Sequence, residues 1–250
     1  MTSDPIAALR ASHERLRSIT TSLTPDEVRA PAYPSEWSIA QVLSHLGSGA
    51  EIMALSLDAA PEAAPREAYQ PIWDVWNAKD ADAQVADALA ADGVLVARIE
   101  SLAGDPDARY QVWSGEVDIA GLAASRLSEH AVHTWDVAVA VAPGATIAGD
   151  AVEIILSGLG RLIGFVAKPG GFTGRLHAIT TDPSAEYLLT LGESSSLSTW
   201  DGGVADATLR LPGEALVRLV YGRLDPANTP VAVEAEGVSL EDLRTTFPGF

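Results

Sequence analysis

Pro169, Gly170 and Gly171 divide the sequence into two textures, and no uniform bundle or uniform sheet accommodates both. Before this turn apolar residues recur at three and four, the period of a helix with one buried face, and the punctuation is helix-capping chemistry. After it come short strand-like segments, Arg175 to Thr181, Glu186 to Leu191, Ser196 to Trp200, Ala207 to Leu211 and Val231 to Glu236, separated by Gly, Pro and Asp. Pro212 to Tyr221 and Leu240 to Thr246 read as helices embedded among them. The expected fold is therefore an up-down helical bundle over 1–168 followed by a small α+β domain over 169–250. A chain of 250 residues is long enough to give each part a core.

Within the helical part, Pro5 suits the first position of a helix starting at Ser3 or Asp4, where its missing N–H does no harm. Ser38 and Gln41 form a capping box, with Trp37 and Val42 spaced as a hydrophobic staple, so a second helix runs from there to about Asp58. A Pro-rich connection from Pro61 to Pro71 precedes a third helix from near Trp76 to Leu102, which Gly104, Asp105 and Pro106 stop. A fourth covers about Ile119 to Val141 and a fifth Asp150 to Val166.

Composition narrows the partners. With 47% hydrophobic and 20% charged residues the chain lies far from the disordered class. A formal charge of −18 repels phosphate backbones and anionic lipid surfaces, which argues against nucleic acid and membrane as partners. The amino-terminal residues contain no apolar run of the signal-peptide kind. The most hydrophobic stretch, Ala151 to Ala167, is broken by Glu153 and Arg161 and is too short to span a bilayer, so a cytoplasmic protein is expected. Cysteine is absent, so any thiol chemistry needs an outside thiol.

One helix concentrates the chemistry. Stepping from His133 by threes and fours gives Ile119, Leu122, Arg126, Glu129, His133, Val137 and Ala140 on one face. The ends of that stripe are apolar and its centre is Arg, Glu and His, and buried charge demands a partner. Glu129 and His133, four apart, can converge on one ion. His45, at the edge of the apolar stripe Ile39, Val42, Leu46 and Met53, offers a third ligand from the second helix. Two histidines and a carboxylate leave a coordination position open, the layout of catalytic zinc, which nickel or iron also accepts. His130 faces away from this set, and Asp136 is placed to accept a hydrogen bond from His133. A cheaper arrangement of the same stripe pairs Arg126 with Glu129 and binds no metal. His13 is expected on an exposed face of the first helix and His177 in a strand, neither with a role. Trp37, Trp73, Trp76 and Trp113 lie in or beside connections that could line a pocket.

The segments Glu36 to Leu46 and Ser128 to Ala138 resemble the DinB-like metal-binding bundles, in particular the mycothiol-dependent maleylpyruvate isomerase family. Asp206 to Arg223 is similar to that family's second domain, a small α+β unit related to sterol carrier folds. The resemblance implies that His45, Glu129 and His133 hold a divalent metal, usually zinc. It implies as well that the open position receives the thiol of mycothiol, the actinobacterial low-molecular-weight thiol. It further implies a role for Arg223, after Gly222, in holding a carboxylate of an acidic substrate. On this reading the chain is a zinc-dependent, mycothiol-using transferase or isomerase acting on a small electrophile. The rival reading is a binding protein, whose second domain takes an apolar ligand. Substrate, reaction and oligomeric state are not carried by these motifs.

Overall fold

The computed structural model describes residues 4–33, 36–105, 107–112 and 115–249. It divides into two compact units, Met1–Ile147 and Ala148–Phe250.

The first unit contains α1 (Pro5–Thr21), the short α2 (Pro25–Arg29), α3 (Ile39–Ala59), α4 (Tyr69–Asn77), α5 (Ala81–Leu102) and α6 (Ile119–Val141). Each long helix starts where a side chain satisfies its unpaired N–H groups. Asp4 caps α1 with Pro5 in the first turn, Ser38 and Gln41 form the reciprocal box that opens α3, and Asp118 caps α6. Helix α3 packs mainly on α5 and α1 mainly on α6, and α1 also meets α5. Leu9, Leu43, Leu46, Ile99, Leu122 and Leu127 are sealed between them.

Two features of this unit depart from the expectation. The helix expected from Trp76 to Leu102 is two helices, because Asp80 turns its side chain onto Ala83 N at 2.9 Å and starts a new one. The new helix, α5, leaves Trp76 at the end of α4. A hairpin of β1 (Tyr110–Val112) and β2 (Gly115–Val117) fills part of the connection before α6. Trp76 is itself a core residue, 1% exposed, and not a pocket wall. A Cβ on Gly47 of α3 would stand 2.2 Å from its ring, so only glycine admits the indole.

The second unit opens with α7 (Gly149–Val166), the helix expected to complete the bundle. It packs within this unit against α8 (Gly213–Val220) and β5 (Ser196–Thr199). With β3 (Gly174–Thr181), β4 (Ser184–Leu191), β6 (Ala207–Leu211) and β7 (Glu234–Glu236), β5 forms one sheet of order β5-β4-β3-β6-β7. All neighbours are antiparallel except β3 and β6, which run parallel. Alternation sets the buried face: Leu176 pairs with Leu189 on one side and Ala207 on the other, and all three are buried. Helix α9 (Leu240–Thr246) closes the unit. No described helix is long and apolar enough to cross a membrane.

Candidate metal centre

The capping box at Ser38 fixes the phase of α3, and His45 follows two turns later, on a helix that packs against α6. Glu129 and His133 stand one turn apart on α6. Nε2 of His45 and Nε2 of His133 each lie 3.7 Å from Glu129 Oε2, and the two imidazole rings meet edge to face at 4.7 Å. Their donor atoms all lie within 4.8 Å of one another. At 3.7 Å neither contact is a good hydrogen bond. The spacing is close to the roughly 3.3 Å between ligands of a tetrahedral ion with bonds of about 2.0–2.1 Å. Two imidazole nitrogens and a carboxylate oxygen, converging without bonding one another, fit a divalent metal.

The surroundings favour the same use. His133 Nδ1 is 2.8 Å from Oδ2 of the fully buried Asp136, so this nitrogen carries the proton and Nε2 turns its lone pair toward Glu129. Desolvation works to raise the Glu129 carboxyl. The polar contact with His45, the neighbouring His133 and the charge of Arg126 outweigh it and hold the carboxyl at about 2. Glu129 is therefore an anion at neutral pH. Its side chain is 50% exposed and that of His45 40%, so the outer side of the trio is open. The Trp37 ring lies 5.5 Å from the His45 ring and forms a wall beside it.

Arg126 does not pair with Glu129. Its Nη2 donates to Asp92 Oδ1 and to the Leu46 carbonyl, each at 2.8 Å, which removes the metal-free arrangement considered from the sequence. Asp92 belongs to a second, buried group. Its Oδ2 is 2.7 Å from His13 Nδ1 and 3.0 Å from His130 Nε2, and His130 Nδ1 lies 2.8 Å from Ser12 Oγ. His13, expected on an exposed face, is thus buried in the core. The signal was present in the spacing: His13 falls between Leu9 and Leu16, and Asp92 between Ala88 and Leu95, on the apolar faces of α1 and α5. Burial works against the ionised carboxyl of Asp92. The charges of His130 and Arg126 and the hydrogen bond from His13 nonetheless hold it well below the usual carboxylate range.

The remaining sequence candidates lie elsewhere. Arg223 is in the second unit, just after Gly222, whose φ of +73° and contact with the Gly249 backbone exclude a side chain there. The Arg223 guanidinium is buried and donates to the Tyr221 carbonyl at 2.6 Å. His177, on β3 as expected, stacks on Trp200 at 3.9 Å and meets Glu186 at 2.7 Å. Trp73 is half-exposed on α4, while Trp113 and Ser3 lie outside the described residues.

The sequence model of the mycothiol maleylpyruvate isomerase N-terminal domain matches residues 9–138, a span that holds all three candidate ligands. No curated protein matches the chain. Among solved structures, the crystal structure of a mycothiol-dependent maleylpyruvate isomerase superposes with a TM-score of 0.69 at 14% identity, covering 94% of this chain and 92% of that one. A histidine-to-alanine mutant of that enzyme gives 0.68 at 13% identity with the same coverage. At these identities the likeness is one of fold, extending over nearly the whole length.

Proposed function

This chain belongs to the mycothiol maleylpyruvate isomerase family through its amino-terminal domain, and from that premise we propose that it is a metal-dependent enzyme using mycothiol on a small electrophile. The observation that carries the proposal is the convergence of His45, Glu129 and His133 on one point, with Asp136 behind His133. These three residues would hold a divalent metal, zinc being the ion best suited to two imidazoles, a carboxylate and an open position. Bound there, the metal would supply Lewis acidity that lowers the pKa of a thiol toward neutral pH.

The chain's own residues do the rest. Asp136 holds the Nδ1 proton of His133 and fixes the direction of Nε2. The Glu129 carboxylate sets the charge of the site to that of a dication less one. The exposed flanks of His45 and Glu129 admit a thiol, and the Trp37 ring shields one side from water. Arg223 is proposed, on the resemblance of the Gly222–Arg223 pair to the family's second domain, to hold a carboxylate of an acidic substrate. In an isomerisation of the maleylpyruvate type the thiolate would add to the activated double bond, breaking its π bond, and would be expelled again after rotation about the single bond. In an S-transfer it would displace a group that leaves with its electron pair.

Mycothiol binding followed by calorimetry, on zinc-loaded protein and on protein stripped with a chelator, tests this reading. Saturable binding that requires zinc is expected. Equal affinity with and without the metal would contradict it.

A further inference from the structure

Arg126 lies on the same stripe of α6 as Glu129 and His133, and the proposed chemistry does not use it. It is 3% exposed, a charge withdrawn from water that must be compensated. One nitrogen, Nη2, spans two other helices, reaching Asp92 on α5 and the Leu46 carbonyl on α3. Leu46 directly follows His45. Gly49, one turn along α3 from His45, leaves room for the guanidinium, since a Cβ there would stand 3.0 Å from Nη1. Asp92 is braced in turn from α1 by His13, and His130 of α6, which Ser12 of α1 holds at its other nitrogen, brings Nε2 within 3.0 Å of the same carboxylate. One guanidinium and one carboxylate thus tie α1, α3, α5 and α6 together beneath the three ligands.

We infer that Arg126, locked by Asp92, is a positioning residue for the metal centre: it fixes α3 against α6 so that His45 meets Glu129 and His133. The inference rests on reading the three residues as a metal centre. Two of the ligands share α6, so their separation is set by one helix, and only the placement of α3 can vary. Gly49 of that helix presents no side chain where Arg126 of α6 approaches it, so the guanidinium itself fills the space between the two helices at this point. The hydrogen bond to the Leu46 carbonyl supplies the constraint one residue from the ligand. Asp92 balances the charge of Arg126, so the clamp adds little net repulsion toward a cation.

The group His13, Asp92 and His130 also offers three ligand-type atoms within 4.8 Å. Arg126 on the same carboxylate, and the 2.7 Å contact from His13, assign it to the clamp and not to a second ion.

The test uses the full chain with Arg126→Lys, and with Arg126→Met combined with Asp92→Leu. The double variant removes both charges together and strands neither. Zinc affinity is read by competition with a chromophoric chelator, ligand geometry by the visible spectrum of the cobalt(II)-loaded protein, and folding by circular dichroism. The folded double variant is expected to lose about 10- to 100-fold in zinc affinity, the range for residues that support metal ligands, and to shift the cobalt spectrum. Arg126→Lys keeps the charge without the planar fork and is expected to recover only part of the affinity. Wild-type affinity and spectrum in the folded double variant would overturn the inference and leave the metal centre standing. Should the double variant not fold, wild-type behaviour of Arg126→Lys would overturn it equally. A wild-type protein that binds neither zinc nor cobalt would instead remove the metal centre itself.

Discussion

Asp136 decides which nitrogen His133 turns toward Glu129, so its influence on the centre exceeds what a buried polar residue on α6 would otherwise have. Asp136→Asn keeps the shape but replaces a carboxylate acceptor by an amide, and a loss of roughly 10- to 100-fold in zinc affinity is expected from chelator competition. Asp92 carries a different prediction. Its carboxyl lies well below the ordinary 3.8 in the folded chain. A depressed carboxyl contributes stability that is full above its unfolded value and is lost as pH falls through its folded one. Breaking this buried pair with Asp92→Asn should cost about 3–5 kcal/mol at neutral pH. The gap from wild type should narrow steadily once the pH drops below about 4, as urea unfolding at a series of pH values would record. Arg223→Met should raise KM for a carboxylate-bearing substrate at least about tenfold, the scale of a charged hydrogen bond, with metal content unchanged. That His45, Glu129 and His133 come together was legible in the sequence, because a helix repeats at four and His45 borders the apolar stripe of α3. His13 and Asp92 were missed although their spacing marks both as core-facing, because no local pattern joins a residue of α1 to one of α5.

At the level of elements, capping chemistry carried the reading. Ser38 with Gln41 and Asp118 start α3 and α6 where the sequence places them, and β6 and α9 keep their expected limits. The break between α4 and α5 was missed because apolar spacing continues through it, while one side chain, that of Asp80, decides it. The β1–β2 hairpin was missed because each strand is three residues long, too short for alternation to register. Contact between α3 and α4 depends on Gly47, against which the Trp76 ring lies flush. Gly47→Ala overfills that space against a buried indole and should destabilise the protein by about 1–3 kcal/mol in denaturant unfolding. Since α3 carries His45, zinc affinity should fall with it.

The whole molecule is two compact units, with all three candidate ligands in the first and Arg223 in the second. The switch of texture predicted two parts but put α7 with the helices before it. Its apolar face fits a bundle or a sheet equally well in sequence, and only packing on α8 and β5 distinguishes them. A metal held in the first unit should stabilise the folded protein. At a free zinc concentration of 100 Kd the gain is about 2.7 kcal/mol, visible in calorimetry as an upward shift of unfolding. The most direct test of the centre is metal content per chain, by elemental analysis of protein purified without added metal, in wild type and in His45→Ala with His133→Ala. The account predicts near one zinc, or another divalent ion, per wild-type chain and none in the variant. A wild-type chain that holds no stoichiometric metal even after reconstitution, or a variant that keeps it, would contradict the account.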